Sequence, residues 1–120
     1  MKKSKVNFEY RDERGVLIEV WRSRRWRQMN YFLCKKGHIR GGHYHKKTKE
    51  LFFVVDGKCE IALINAKTHK KKRFVADYKD VFIVEPYEAH YVKGIEDTKI
   101  IALLDKVHNV CMPDIHEYEK

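Results

Sequence analysis

Residues 37–57 read Gly37-His38-Ile39-Arg40-Gly41-Gly42-His43-Tyr44-His45-Lys46-Lys47-Thr48-Lys49-Glu50-Leu51-Phe52-Phe53-Val54-Val55-Asp56-Gly57. In a β-strand the side chains of residues i and i+2 share a face, so His43 and His45 can converge on one ion while Tyr44 points the other way. Glu50 adds a hard oxygen ligand. Two histidines and one carboxylate suit a divalent transition metal (zinc, iron, manganese or nickel) with coordination positions left open for water or substrate. His90, forty residues beyond Glu50, is the candidate fourth ligand. Asp56-Gly57, between two apolar runs, predicts a two-residue hairpin, because a type I′ turn needs positive φ at both central positions.

The rest of the chain continues the β pattern. Apolar residues fall in short runs of β-branched and aromatic type, which predict strands over Val16–Trp21, Met29–Cys34, Leu51–Val55, Cys59–Asn65, Arg73–Ala76, Val81–Val84 and Lys99–Leu104. Seven or more short strands in a chain of 120 residues mean a sandwich or a barrel. A strand containing His90 follows Pro86, and the tail from Pro113 to Lys120 suits a short helix or a frayed end. Residues 1–120 are read as one domain, large enough to bury a core without staples. Hydrophobic residues make up 43% and charged residues 36%, and no apolar run reaches membrane-spanning length, so a helical membrane protein is excluded. The basic start is followed by Val6-Asn7-Phe8-Glu9-Tyr10-Arg11-Asp12, polar where a signal peptide is apolar, so the expected location is cytoplasmic. Cys34, Cys59 and Cys111 are odd in number with no Cys-x-x-Cys pair, and read as buried reduced thiols.

The net charge of +9 is unevenly placed: residues 1–40 carry 12 Lys and Arg against 4 acids, and residues 81–120 carry 4 against 8. Such a basic region can attract nucleic acid, anionic lipid or a phosphorylated small molecule. Arg22, Arg24, Arg25 and Arg27 interleave with Trp21 and Trp26, which suits either a solvated basic loop or a single-stranded nucleic-acid surface; the nucleic-acid reading ranks below the anionic small molecule. Lys70 to Arg73 follow Asn65-Ala66-Lys67-Thr68-His69, a polar hairpin tip.

The spacing from Gly37 to Gly57 (Gly, five residues, His-x-His, four residues, Glu, six residues, Gly) resembles the first motif of the cupin superfamily. The second cupin motif is matched in part: Asp80 stands where a glycine is usual, Pro86 is present, Glu88 replaces another glycine, and His90 follows Pro86 at a shortened distance. The resemblance implies an all-β cupin double-stranded β-helix, the jelly-roll barrel, with its site at the mouth. Upstream, Asp12-Glu13-Arg14-Gly15, then Trp26-Arg27-Gln28-Met29-Asn30, then Arg40-Gly41-Gly42-His43 are similar to the Asp-x-Arg-Gly, aromatic-x-Gln-x-Asn and Arg-Gly-x-His series of the dTDP-4-dehydrorhamnose 3,5-epimerase family. The stretch from Arg40 to Lys47 is also similar to the sugar-nucleotide 3,4-ketoisomerases and to cupin domains of capsule-biosynthesis enzymes.

That resemblance implies an enzyme of polysaccharide or deoxysugar biosynthesis, a homodimer that takes a nucleotide-linked keto-sugar, removes a proton α to its carbonyl and stabilises the enolate. By the same resemblance His43 is the base and Arg40 holds the nucleotide's phosphates, while Gln28, Asn30 and Trp26 contact substrate. Tyr44, Tyr87 and Tyr91 are candidates for the acid that returns a proton. Two positions depart from the epimerase pattern: Glu50 stands where the epimerases carry lysine and the ketoisomerases glutamine, and His45 where the epimerases carry glutamine. Both departures favour metal, and a His43 that ligates an ion cannot also be the base. The same histidines and glutamate suit an iron-dependent dioxygenase or a small-ligand-binding cupin without turnover. The upstream elements favour the sugar reading over both.

Overall fold

The computed structural model describes residues 3–108 and 111–119. Its strands are β1 (Lys3–Ser4), β2 (Phe8–Asp12), β3 (Gly15–Glu19), β4 (Gln28–Cys34), β5 (Ile39–Tyr44), β6 (Glu50–Asp56), β7 (Lys58–Asn65), β8 (Lys71–Asp77), β9 (Val81–Val84), β10 (Glu88–Gly94), β11 (Thr98–Leu104) and β12 (His116–Glu117). One five-stranded sheet has the order β1-β9-β6-β11-β4 and the other β12-β5-β10-β7-β8, while β2 and β3 form a separate hairpin. This is the all-β jelly roll expected from the cupin spacing. Among the described residues no helix is long and apolar enough to cross a membrane.

All seven expected strands are present, with ends within two residues of their expected places. The tail does not form a helix: His116 and Glu117 pair with Tyr44 and His43 of β5, and Lys120 lies outside the described residues. Asp56-Gly57 is not a hairpin either. β6 pairs with β9 and β11, whereas β7 pairs with β8 and β10, so the chain crosses from one sheet to the other at Gly57. Gly57 has φ +94°, and a Cβ there would lie 2.2 Å from the carbonyl oxygen of Asp97. The glycine is required by close packing at a corner between sheets, which sequence alone does not separate from a tight turn.

The core fills the space between the sheets because alternate residues of each strand face inward. Phe52 and Val54 of β6, Phe82 and Val84 of β9, and Ile100 and Ala102 of β11 meet Ile61 and Leu63 of β7 and Val92 of β10. Full burial of each large side chain contributes about 1.5–3 kcal/mol. Rings connect this core to the site: Phe74, Phe82 and Phe52 pack edge-to-face in series, and Phe52 meets the His90 ring at 5.5 Å and 78°. Cys34 and Cys59 are buried free thiols, with Cys59 pushed up to about 12 by burial. Cys111 departs from expectation: it is exposed.

Candidate metal centre and cleft

Three histidines come from one sheet and the carboxylate from the other. His43 lies in β5 opposite His90 in β10, His45 directly follows β5, and Glu50 opens β6. The glycines of Arg40-Gly41-Gly42 bring the two histidine strands together. Gly41 has φ +107°, and a Cβ there would sit 2.2 Å from the His90 carbonyl oxygen, beside an irregularity between His90 and Tyr91. The His43 and His90 rings consequently meet at 4.5 Å between centroids.

One ligand atom from each of His43, His45, Glu50 and His90 can be chosen so that all four lie within 4.8 Å of one another. His45, Glu50 and His90 are 6%, 6% and 4% exposed, and His43 is half-buried. His45 Nδ1 is 2.5 Å from the backbone carbonyl of Asp114. A carbonyl only accepts, so this nitrogen donates and Nε2 of the neutral ring carries the lone pair. That Nε2 is 2.5 Å from Glu50 Oε1. Despite this proximity, both atoms are buried without a hydrogen bond of acceptable geometry, as is His90 Nδ1. Positive charge must lie between this nitrogen and the carboxylate, supplied either by a proton on Nε2 that makes His45 an imidazolium paired with Glu50 or by a metal ion, and the convergence of four donor atoms here fits the ion.

Burial and the Glu50 charge divide the four groups. His43 is lowered, by burial first and then by the charge of His45, against the pull of Glu50. His90 is pushed down to about 4, mainly by burial. Burial opposes charge on His45 as well, but Glu50 and the Asp114 carbonyl outweigh it and raise this imidazole. Glu50 is raised by burial, yet the histidines outweigh that and hold it below the usual carboxylate range.

The cluster faces a cleft of about 490 Å³ lined by Gln28, Asn30, Lys47, Lys106, His108 and Asp114, among others. An adjoining pocket of about 180 Å³ is lined by Arg40, Phe32, His43, Glu50 and His90. The Arg40 guanidinium lies over the Phe32 ring, 5.2 Å from its centroid. The structure thus brings Arg40, Gln28 and Asn30 to the four candidate ligands. Gln28 is already engaged there: its Oε1 accepts from the His108 amide at 2.7 Å and its Nε2 donates to Asn30 at 3.1 Å.

The expected acids lie elsewhere. Tyr44 stacks on Tyr87 at 5.9 Å and lies against His116 at 5.5 Å, on the face of β5 opposite His43 and His45. Tyr91 lines a separate surface pocket with Ile39, Lys71, Arg73 and Lys93. Both follow from strand alternation, which turns the neighbours of His43 and His90 outward. Trp26 is half-buried in the loop before β4 and is absent from the cleft wall. Glu88, where cupins usually have glycine, closes the preceding turn by accepting from the Glu85 amide at 2.7 Å, and the positive φ of that turn falls on Tyr87.

Sequence reasoning missed the tail. The Asp114 carboxylate accepts from the amides of Lys46, Lys47 and Thr48 at 2.8–3.0 Å, and from the Thr48 hydroxyl. Burial raises this carboxyl, but these donors and His116 outweigh it and hold it far below the usual range. A Pro-Asp pair just before an isolated histidine was the available signal.

The fold is a jelly roll of the cupin type, with the histidine and glutamate cluster drawn from both of its sheets. The chain belongs to the polysaccharide biosynthesis C-terminal domain family, whose model matches residues 10–115. It is 26% identical over 95 residues to the UDP-2-acetamido-2,6-beta-L-arabino-hexul-4-ose reductase of Pseudomonas aeruginosa, spanning 78% of this chain and 26% of that protein. Among solved structures it is similar to the capsular polysaccharide assembling protein CapF of Staphylococcus aureus, with TM-score 0.73, 21% identity, and coverage of 94% of this chain and 34% of CapF. It is also similar to a variant of the 3,4-ketoisomerase QdtA of Thermoanaerobacterium thermosaccharolyticum in complex with TDP-4-keto-6-deoxyglucose. There the TM-score is 0.79 and the identity 16%, over 95% of this chain and 84% of that one. The chain therefore spans about a quarter to a third of the reductase and of CapF.

Proposed function

We propose that the chain acts on a nucleotide-linked keto-sugar, moving a proton on the carbon beside the carbonyl, with a divalent transition metal held at the histidine and glutamate cluster. The observation that carries this reading is the convergence of one donor atom each from His43, His45, Glu50 and His90 to within 4.8 Å of one another, beside a cleft bordered by Lys47, Lys106 and His108. A metal there would supply Lewis-acid polarisation of the keto oxygen. His45, Glu50 and His90 form a two-histidine, one-carboxylate set by themselves. His43, the least buried of the four and a wall of both pockets, is the member placed to take a carbon-bound proton. Arg40 and the cleft lysines supply donors for a diphosphate.

The family membership, and the sugar-nucleotide enzymes that share the fold, support the substrate class. A homodimer belongs to the same reading: Met29, Tyr31 and Leu33 project from edge strand β4 with 68%, 58% and 36% exposure, an apolar face suited to a second copy. The test is incubation of metal-loaded protein in deuterated water with a panel of dTDP- and UDP-linked 4-keto-6-deoxy sugars, followed by proton spectroscopy of the ring. Label is expected beside the carbonyl. His43→Asn should abolish labelling while retaining metal, and chelation should abolish it in the wild type. A panel with no exchange, together with oxygen consumption on another substrate, transfers the assignment to the dioxygenase class.

A further inference from the structure

Segment 111–118 lies across one side of the cleft, where Met112, Asp114 and Ile115 form part of its wall. Its attachment concentrates on Asp114. The carboxylate binds three successive amides of the 46–48 loop and the Thr48 hydroxyl, and also receives His116 Nε2 at 3.1 Å. The backbone carbonyl of the same residue accepts from His45 Nδ1. Farther along, Tyr118 donates its amide to the Gly42 carbonyl at 3.0 Å, so the segment flanks the His43–His45 stretch on both sides. The 46–48 loop is the direct link between His45 and Glu50, the two ligands contributed by opposite sheets.

We propose that Asp114 is a positioning residue for the metal centre: its carboxylate fixes the loop joining His45 to Glu50, and its carbonyl fixes the His45 ring with Nε2 toward Glu50. The inference rests on the metal reading above and deepens it. A hydrogen-bond acceptor on the second nitrogen of a ligating imidazole sets both its tautomer and its orientation, and loss of such a partner typically weakens metal binding about 10- to 100-fold. Here one residue supplies that acceptor and also ties down the loop. Removing the carboxylate loosens the carbonyl's register against His45 without touching any ligand, while the β12 pairing with β5 keeps the rest of the segment in place.

The experiment titrates cobalt(II) against a competing chelator into wild-type protein, Asp114→Ala and Asp114→Asn, recording the visible spectrum. Amide hydrogen exchange is measured on the metal-free proteins. Asp114→Ala is expected to lose about 10- to 100-fold in cobalt affinity, to change the ligand-field bands, and to exchange the amides of Lys46, Lys47 and Thr48 faster, with β6 and β7 protected as in the wild type. Asp114→Asn, which keeps an acceptor oxygen without the charge, should fall between. Wild-type affinity and spectrum in Asp114→Ala overturn the proposal; if that variant does not fold, wild-type affinity in Asp114→Asn with faster exchange at the three amides overturns it. Wild-type protein that takes up no cobalt overturns the metal reading itself, whereas equal binding by wild type and variants overturns only the role of Asp114.

Discussion

Gly41→Ala should be the most damaging single-methyl change near the site. Gly41 has φ +107°, and an added Cβ would lie 2.2 Å from the His90 carbonyl oxygen, 3.1 Å from its carbon and 3.2 Å from Tyr91 Cα. These are backbone atoms, so no rotamer change relieves the contact. Restoring an ordinary carbon–oxygen separation of about 3.3 Å requires β5 and β10 to part by roughly 1 Å. Backbone strain at positive φ costs about 1–3 kcal/mol and overpacking about 1–3 kcal/mol, for a total of about 2–6 kcal/mol. That is a large fraction of the roughly 5–15 kcal/mol that stabilises a domain. Urea unfolding of metal-free protein measures it, with Gly42→Ala as the control. Gly42 also has positive φ (+92°), but its Cβ would meet the Tyr91 side chain at 3.3 Å, so the strain remains and the backbone clash does not. A Gly41→Ala loss below about 1 kcal/mol, or a larger loss at Gly42, would show that β5 and β10 are not held in close contact at Gly41.

Arg40→Ala should weaken a nucleotide sugar several-fold more than the free sugar, because a charge-assisted contact is worth about 1.5–3 kcal/mol; calorimetry with both ligands checks this. Tyr44→Phe and Tyr91→Phe should leave solvent exchange into the sugar within about twofold of wild type, since both rings face away from the cleft; loss of exchange in either would restore the tyrosine to the chemistry. In metal-free protein His90, pushed down to about 4, stays neutral while the unfolded chain protonates near about 6.5, so the unfolded state holds the extra proton between those values. Stability from this residue is therefore lost as pH falls through that window, by about 3 kcal/mol, and levels off below it. The raised His45 acts in the opposite sense, its contribution being full below the unfolded value and lost as pH rises through its folded one. Urea midpoints across pH 4 to 7 should thus slope less in His90→Asn than in wild type, and parallel curves would contradict the assignment.

Much of the fold was legible because jelly-roll strands alternate buried and exposed residues in short β-branched runs, and the Gly37–Gly57 spacing is tied to one geometry. The convergence of the candidate quartet was legible in part: the His43-x-His45 alternation is local strand geometry, whereas Glu50 arrives from the other sheet and His90 from β10, and only the cupin spacing pointed to them. What failed depended on distant partners. The Asp56-Gly57 corner looks like a hairpin until Asp97 is seen against Gly57. Tyr44 and Tyr91 were attractive by sequence proximity to histidines, but adjacency in a strand sends side chains to opposite faces. Asp114 offered no local signal beyond the Pro113-Asp114 pair, because its partners, residues 46–48, are more than sixty positions away, and a short tail gives no periodicity from which a strap could be inferred.

The most direct test of the metal centre is elemental analysis of protein purified without chelator, wild type beside Glu50→Gln, before and after exposure to zinc, iron, manganese and nickel. One divalent transition metal ion per wild-type chain is expected, with a marked loss in Glu50→Gln, which removes the charge opposite His45 Nε2. Wild-type protein that contains no metal, and takes none up from any of the four, would contradict that expectation.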